Sequence, residues 1–466
     1  MGVPLTRLLD RERETTALTA AWERVQAGQP QLVVLWGRRR TGKTFLLSHF
    51  VHQKRSVFYG ATQQSERVEL GRLTEAVSRD LGDEVADLAG GGFVGWEAAL
   101  RYFAALARTE PIVVVLDEVP YLARSTKGFA SIVQAVWDHL ASNTKLMLVL
   151  TGSAVGVIED MLGAHGALRG RSTLQLRLDP VDLVSAQAFL PQLDPTSYFE
   201  AYAACGGYPM HLLSWDQSVD TRTNLERLAA TAGGLLLEDA AGILYEELPE
   251  TGGYQRILAA VGRGRTRASD IASEADQRIE APLEVLVRAG FVRRSNPLGA
   301  PRRSRPLYEI PDPYLAFWFG VLYSDAAYVA GGQGRAVLRR RQPQWERHLG
   351  WVFEEAAREH AAHLVDNGEL PADTVIGRWW ATSGPECEID VLGMRGSQTV
   401  MLGEAKWRQA PVGYRELTTL VARASRTPSP AEDMVYALWS KNGGEASVQA
   451  PNVRSFDLRD VLRLKR

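Results

Sequence analysis

An apolar run that leads into a glycine-rich loop is the feature that most limits how this chain can fold. Residues 31–36 read QLVVLW, and Gly37 then opens the sequence GRRRTGKT, which ends at Thr44. This is the spacing G-x-x-x-x-G-K-[ST], in which the glycines let successive backbone N–H groups point at a phosphate. The dipole of the helix that follows adds about half a positive charge. The stretch therefore predicts a phosphate-binding loop between a strand and a helix.

Each fixed position of this loop has a chemical role. Gly37, Thr41 and Gly42 belong to the part that wraps the phosphates. Lys43 can reach the β- and γ-phosphates as a point charge, and Thr44 offers a hydroxyl to Mg²⁺. The three arginines between the glycines occupy variable positions, so we expect them to be solvated or to face a partner. The loop predicts ATP and Mg²⁺ as cofactors and makes Lys43 a candidate catalytic residue.

A second apolar strand carries the acidic half of the predicted site. Residues 111–118 end in Asp117 and Glu118, which places one carboxylate beside Mg²⁺ and the next where it can orient or deprotonate an attacking water. Thr151 and Ser153 follow another buried strand and occupy the position of a polar sensor of the γ-phosphate. A helix N-cap formed by Ser153 is the alternative.

The pattern around these motifs alternates buried strands with amphipathic helices up to residue 178. Continuous apolar strands separated by helices predict a parallel sheet that is covered on both faces. Arg169 and Arg171 precede the last of these strands, where an arginine can neutralise transition-state charge or simply face solvent. The predicted strands are 31–36, 56–60, 111–118, 145–152 and 172–178.

In this order, the stretches LLDRERE, GRRRTGKT, VVVLDEVPYL, LVLTGS, RGRS and CGGYPMHLL resemble those of archaeal-type P-loop ATPases, relatives of the AAA+ and STAND ATPases. The resemblance continues through YEIPDPYLAFWF and so covers nearly the whole chain. It implies that Asp10 and Arg11 lie near the adenine. It also implies that Gly207 and Pro209 belong to a helical lid that closes on the nucleotide.

Downstream of this core, residues 253–310 have the element order of a winged helix, with three short helices followed by two strands around a Pro/Gly/Arg turn. The segment holds eleven arginines and six acidic residues. Such a local excess suits phosphate contacts with DNA, although a packing lid without DNA contact is the alternative. The polar, arginine-rich stretch 331–347 reads as a linker.

Four charged residues near the C-terminus lie on two predicted strands joined by a short turn. Residues two apart on a strand share a face, so Glu388 projects with Asp390, and Glu404 projects with Lys406. Asp390 and Glu404 can jointly hold Mg²⁺, and Lys406 can position and help activate a water that attacks a phosphodiester. The alternative is a cross-strand salt bridge on an exposed sheet face.

This arrangement resembles the core of PD-(D/E)XK nucleases, and Glu354 matches the acidic helix residue often seen there, so the resemblance implies that Glu354 is a further metal ligand. Ile389 stands where such nucleases usually have a proline. Lysine is rare in this chain, with seven among 53 basic residues, which favours a need for a compact ammonium at Lys406. By this resemblance Asp390, Glu404 and Lys406 are the catalytic residues of a metal-dependent deoxyribonuclease.

The expected fold class is therefore α/β: a P-loop sheet with a helical lid, a winged-helix domain and a C-terminal restriction-endonuclease-like domain. The predicted boundaries are 1–178, 179–249, 250–345 with the linker, and 346–466. A formal net charge of −2 means that DNA must be held by a local basic face. Two cysteines and the absence of a long apolar run indicate a cytoplasmic protein.

These features predict an ATPase whose nucleotide state controls a DNA-binding and nuclease-like module, in a chain that can form homo-oligomers. Two alternatives remain open. One is an ATP-binding switch or scaffold with a non-cleaving C-terminal domain, and the other is a DNA-binding regulator.

Overall fold

The computed structural model describes residues 8–82, 92–140, 144–248, 251–300, 304–381, 386–445 and 450–464. The chain divides into two compact units. The first, here called the N-terminal unit, comprises Met1–Val181 with Tyr208–Met210 and Ile243–Pro249. The second, the C-terminal unit, comprises Asp182–Gly207, His211–Gly242 and Glu250–Arg466.

A five-stranded parallel sheet forms the centre of the N-terminal unit, as the sequence predicts. Its strands are β1 (Gln31–Trp36), β2 (Ser56–Gly60), β3 (Ile112–Asp117), β4 (Leu146–Gly152) and β5 (Leu174–Arg177). The order β2-β3-β4-β1-β5 puts β4 between β1 and β3, so the ends of these three strands meet at one edge.

Helices cover both faces of this sheet. Leu32 and Val34 enter one hydrophobic cluster while Val33 and Leu35 enter another, which is the alternation expected of a strand with two buried faces. The helices of this part of the chain are α1 (Glu12–Gln26), α2 (Lys43–Val51), α3 (Glu66–Leu81), α4 (Trp96–Leu106), α5 (Val119–Ser125), α6 (Phe129–Leu140) and α7 (Val155–Leu162).

The next segment is helical, with no strand among its described residues from 180 to 248. A 3₁₀ turn (Ser185–Phe189) is followed by α8 (Pro195–Cys205), α9 (Pro209–Ser214), α10 (Thr221–Leu228) and α11 (Leu235–Glu247). Asp194 and Asp220 cap α8 and α10 by accepting hydrogen bonds from backbone N–H groups of the first turn.

Three helices and a pair of antiparallel strands then follow in the predicted order. They are α12 (Thr251–Gly262), α13 (Ala268–Ala275), α14 (Glu280–Arg288), β6 (Arg293–Ser295) and β7 (Leu307–Glu309). Arg302 and Arg303, on the predicted turn between the strands, lie outside the described residues.

The stretch 331–347, which we expected to be a linker, is mostly helical. Two of its arginines are engaged, because Arg340 and Arg341 both pair with the buried Asp325 at 2.8 and 2.6 Å, and Trp345 is buried. The helices of this region are α15 (Pro313–Phe317), α16 (Ala326–Tyr328), α17 (Gly334–Arg340) and the long α18 (Gln342–Asp366), with π-helical turns at Trp318–Leu322 and Val329–Gln333.

The last part of the chain forms a five-stranded mixed sheet in the order β12-β11-β10-β9-β8. The first three strands in sequence are antiparallel neighbours, whereas β10, β11 and β12 run parallel. The elements are β8 (Thr374–Trp380), β9 (Glu388–Arg395), β10 (Gln398–Lys406), α19 (Tyr414–Ala424), β11 (Pro430–Ser440), β12 (Val453–Phe456) and α20 (Leu458–Val461). We did not predict β11 and β12 from the sequence.

Candidate functional site

The phosphate-binding loop begins where β1 ends. At Gly37 a Cβ atom would lie 2.1 Å from the carbonyl oxygen of Leu178, so only glycine allows the chain to pass here. Gly42 has a left-handed backbone, with φ of 93°, and caps the N-terminus of α2. The two glycines of the motif are therefore required by close backbone approach and by the turn into the helix.

Lys43 lies inside the loop. Its buried ammonium donates hydrogen bonds to the carbonyl oxygens of Gly37 at 2.7 Å and Arg38 at 2.9 Å. The hydroxyl of Thr41, also buried, donates to the carbonyl oxygen of Arg38 at 2.8 Å. The loop is thus curled around the ammonium, which is the group that the sequence assigns to the β- and γ-phosphates.

Thr44 and Asp117 bring the loop and β3 together. The Thr44 hydroxyl donates to Asp117 Oδ2 at 2.8 Å, and the Glu118 N–H donates to Asp117 Oδ1 at 3.0 Å. Burial raises the pKa of Asp117 above its ordinary value, while the hydrogen bond from Thr44 opposes this rise. A hydroxyl and a carboxylate oxygen form an all-oxygen donor pair, which fits Mg²⁺.

Glu118 has a left-handed backbone, with φ of 57°, which is uncommon for a residue with a side chain. Its Oε2 accepts hydrogen bonds from the Ser153 N–H at 3.1 Å and the Ser153 hydroxyl at 2.8 Å. The N-cap of α7 is Ala154, so Ser153 is not the helix cap that we considered as the alternative. Ser153 instead holds the predicted catalytic carboxylate.

Thr151 is fully buried on β4, beside Leu35 of β1. Its hydroxyl has no hydrogen-bond partner among the described residues. A buried polar group without a partner is costly, and such groups are often found where a ligand completes the hydrogen bond. The position suits the predicted contact with a γ-phosphate.

Arg11 contacts the phosphate-binding loop. Its guanidinium donates to the carbonyl oxygens of Thr41 at 3.2 Å and Asp179 at 2.9 Å, and the side chain is buried. Asp10 precedes it with a left-handed backbone, φ of 51°. The role of these two residues at the adenine stays a prediction, whereas bracing of the loop by Arg11 is a contact that the sequence did not reveal.

Pro209 of the predicted lid lies against the same loop, because its Cγ is 3.9 Å from the position of a Cβ at Gly42. Gly207 lies two residues earlier in the chain, between the end of α8 and the start of α9. Its contact with nucleotide stays a prediction.

Two arginines make contacts that the sequence left open. Arg171 forms a bidentate ion pair with Asp138 of α6 on the surface, with Nε to Oδ1 at 2.8 Å. In this arrangement its guanidinium is engaged away from the phosphate-binding loop, so its transition-state role stays a prediction. Arg38, which we expected to be solvated or partner-facing, lies 3.6 Å from Glu247 Oε1 of α11.

The C-terminal unit brings together the second predicted set. Lys406 Nζ lies 2.7 Å from Glu404 Oε1 and 3.5 Å from Asp390 Oδ2. The Ala405 N–H donates to Asp390 Oδ2 at 3.0 Å. Burial opposes protonation of Lys406, but the two carboxylates raise its pKa above the ordinary value.

Glu354 on α18 belongs to the same cluster. Burial and then the neighbouring Asp390 raise the pKa of Glu354 to about 8, and burial likewise raises the pKa of Glu404. Arg423 of α19 completes the surroundings by pairing with Glu404 Oε2 at 3.0 Å. We did not predict this contact, because the sequence of an amphipathic helix does not indicate which strand one of its arginines will contact.

The cluster is not an exposed salt bridge, since Asp390 and Glu404 are both buried. Glu388 lies on β9 with Asp390, but its carboxylate forms an ion pair with Arg378. Within the described part of the chain, no three His, Cys, Asp or Glu side chains are grouped to hold a metal ion. Glu354, which we expected as a further ligand, is therefore not grouped with Asp390 and Glu404 as a three-carboxylate metal site. Any Mg²⁺ here would be held by Asp390 and Glu404 and would keep several of its waters, as this ion usually does.

The core of a P-loop ATPase is defined by two features found here: the parallel sheet, and the arrangement of Lys43, Thr44 and Asp117 at its edge. Residues 8–214 match the family described as an ATPase domain predominantly from Archaea. The match identifies an archaeal-type ATPase domain in this part of the chain. Residues 318–419 match a second family, described as Archaea bacterial proteins of unknown function.

Two relatives come from Methanocaldococcus jannaschii. The uncharacterized protein MJECL04 is 25% identical over 412 residues, which are 86% of this chain and 87% of that protein. The uncharacterized protein MJ0424 is 36% identical over 76 residues, which are 16% of this chain and 68% of that protein.

Solved structures support the same fold. The Walker-type ATPase PABY2304 of Pyrococcus abyssi has a TM-score of 0.52 at 20% identity and covers 67% of this chain and 96% of its own. The Aeropyrum pernix ORC2 protein, solved in ADPNP and ADP complexes, has a TM-score of 0.50 at 13% identity, and the match covers 70% of this chain and 96% of the ORC2 chain. Among the described residues, no helix is both long and apolar enough to cross a membrane.

Proposed function

We propose that this chain is a Mg²⁺-dependent ATPase whose nucleotide state controls a DNA-binding winged helix and a metal-dependent nuclease module. The observation that carries the ATPase half is the 2.8 Å hydrogen bond between Thr44 and Asp117, beside the ammonium of Lys43. These groups come from the two motifs that a P-loop ATPase needs, and they meet at the edge of one sheet.

In the ATPase, Lys43 leaves the carbonyl oxygens of its own loop and binds the β- and γ-phosphates. Thr44 and Asp117 hold Mg²⁺, which neutralises charge on the phosphates when bound. Glu118 orients the attacking water or accepts its proton, and Ser153 sets the position of that carboxylate. Thr151 supplies a hydroxyl that finds its partner on the γ-phosphate.

For DNA binding, we propose that helices α12 to α14 with strands β6 and β7 act as a winged helix. The described arginines that suit phosphate contacts are Arg267, Arg294 and Arg305, which are exposed and show no ion pair with the described residues. Arg263, Arg265 and Arg293, by contrast, are paired with glutamates.

For DNA cleavage, we propose that Asp390 and Glu404 hold Mg²⁺, which when bound supplies a Lewis acid for phosphodiester hydrolysis. Lys406 orients the attacking water, and its ammonium stays charged because two carboxylates face it. Glu354 adds a third carboxyl to the cluster, and burial beside Asp390 raises its pKa.

Three proteins compared in one assay test this proposal: wild type, Lys43→Ala and Asp390→Asn. ATP hydrolysis and cleavage of single- and double-stranded DNA are measured with Mg²⁺ or Mn²⁺. We expect Lys43→Ala to abolish hydrolysis, and Asp390→Asn to abolish cleavage without changing ATP turnover. Asp373→Asn is the control, since among the described residues the ion-pair partner of this exposed aspartate is the exposed Arg395 alone.

Cleavage that survives in Asp390→Asn would exclude the nuclease half of the proposal. Very slow turnover with tightly retained nucleotide, and no cleavage, would identify the protein as an ATP-dependent switch or scaffold. Salt-sensitive DNA binding without any product would identify a DNA-binding regulator.

A further inference from the structure

A cleft of about 600 Å³ opens within the C-terminal unit, beside the predicted nuclease centre. Its walls come from the turn between α12 and α13, from β7, from the first half of α18, and from Arg378 of β8. Glu354, whose neighbour is Asp390, is one of the wall residues. The cleft and the predicted centre therefore share a carboxyl group.

The cleft is basic. Five arginines and three glutamates line it, which is a formal excess of two positive charges. Four of the arginines pair with acidic groups, but Arg347 is exposed and has no ion pair within the described residues. The arginines are Arg263, Arg265, Arg341, Arg347 and Arg378. Arg347 therefore suits a phosphate contact, and the formal positive excess of the wall favours an anionic strand.

Aromatic rings lie among these cations. Trp351 lines the cleft one residue after Gly350 and stacks on His348, with ring centroids 6.0 Å apart and planes 27° apart. Tyr308 of β7 also lines it. Basic grooves that carry aromatic side chains are the common design for binding single strands, whose bases stack on the rings.

The dimensions favour a single strand over a duplex. Pockets of about 300 to 1,000 Å³ enclose molecules of drug size, and one or two nucleotides are of that size. A double helix, whose major groove alone is about 12 Å wide, does not enter such a space. The buried Oε1 of Gln344, another wall residue, has no partner among the described residues and offers an acceptor for a base edge.

We infer that this cleft binds single-stranded DNA and leads its backbone to Glu354 and the neighbouring cluster, an inference that rests on the proposed nuclease function. The strand enters along Arg347, a base stacks on Trp351, and the phosphate that follows reaches the carboxylates. The substrate class is then a single strand or a splayed end.

Substitution of Gly350 by a large residue tests whether the cleft binds DNA. A Cβ atom at this position would meet no atom within 4 Å, and glycine is a poor residue for the interior of α18. Gly350→Phe should therefore fold while its ring fills the cleft. Arg347→Glu reverses one charge of the cleft, and Arg339→Glu, an exposed arginine of α17 outside it, is the matched control.

The assay is fluorescence anisotropy with a fluorescein-labelled twelve-nucleotide oligo(dT) in EDTA, over a range of salt concentrations. We expect Trp351→Ala to weaken binding about 5- to 160-fold, the range for loss of one stacked base. Arg347→Glu should lower the slope of log Kd against log salt by about 0.7 or more, the value of one phosphate contact on a single strand. Arg339→Glu should match the wild type.

Unchanged affinity in Gly350→Phe, Arg347→Glu and Trp351→Ala would overturn the inference, as would failure of the wild type to bind the oligonucleotide. Equal competition by a blunt duplex of the same length would overturn the assignment to single strands. Cleavage with Mg²⁺ separates the two proposals. If binding follows the cleft variants but nothing is cut, the nuclease proposal fails alone; if Gly350→Phe cuts DNA as the wild type does, the cleft inference fails alone.

Discussion

Thr151→Val should make the ATPase more stable and less active. The Thr151 hydroxyl is fully buried and has no hydrogen-bond partner among the described residues. An unsatisfied buried donor costs about 1 to 3 kcal/mol of folding free energy. Valine has the same branched shape and suits a strand, so it removes that cost without leaving a cavity.

The magnitude follows from the lower end of that range. A gain of about 1 kcal/mol raises the melting temperature by about 2 to 4 °C for a unit of this size. If the hydroxyl finds its partner on the γ-phosphate, the same change removes a preorganised donor, and loss of one such donor typically costs about 100-fold in kcat. The extra thermal stabilisation by ATP should also shrink, since less binding energy is linked to folding.

Differential scanning fluorimetry with and without ATP, together with a phosphate-release assay, measures both effects. Thr126→Val is the matched control, because Thr126 is also buried, its hydroxyl likewise finds no partner within the described part of the chain, and it lies at the C-terminal end of α5. It should raise the melting temperature similarly and leave kcat unchanged. A lower melting temperature in Thr151→Val, or full retention of kcat, would refute the reasoning.

Three further predictions concern backbone fit, pH and ion pairing. Gly37→Ala should lower stability by more than 2 kcal/mol and abolish ATP binding, since its Cβ would lie 2.1 Å from a carbonyl oxygen, whereas Gly60→Ala meets nothing within 4 Å and should do neither in thermal-shift and nucleotide-binding assays. Burial lowers the pKa of His348 from 6.5 to about 4, so the unfolded chain takes up a proton first as pH falls, and about 3 kcal/mol of stability is lost between pH 6.5 and 4. Denaturant titrations at a series of pH values should show that the unfolding free energy of His348→Gln falls less between pH 6.5 and 4 than that of the wild type. An equal fall in both proteins would contradict the lowered pKa of His348. Arg293→Ala should cost about 1 to 3 kcal/mol, because it removes one of the two arginine partners of each of two mostly buried glutamates, Glu309 and Glu355. Arg294→Ala, exposed one residue away, should cost less than about 0.5 kcal/mol and weaken DNA binding in a filter-binding assay.

The sequence predicted the parallel sheet because its strands are buried on both faces and therefore read as unbroken apolar runs. It also predicted the loop residues, since the motif spacing fixes how Lys43 and Thr44 face a phosphate. The contact between Ser153 and Glu118 was not predicted, because it joins two strand ends through side-chain geometry that no local pattern encodes.

The strands β11 and β12 escaped prediction for a different reason. The run MVYALW in β11 is apolar, but β11 begins 24 residues after the end of β10 and beyond α19, so the local hairpin pattern of β9 and β10 gave no indication that the sheet continues. Parallel neighbours are joined by such helical crossovers, and their pairing is a long-range property of the chain.

The arginine excess in residues 253–310 shows why counting charges along a sequence can mislead. Arg263 and Arg265 share Glu274 inside the segment, but Arg293 pairs with Glu355, which lies 62 residues further along the chain. An arginine in such a pair contributes little free charge to the surface, since its partner screens it. Folding therefore decides which arginines are paired with carboxylates and which remain available for phosphate. The residues of the basic cleft are spread over more than a hundred positions of sequence, so the cleft could be recognised only in the folded chain.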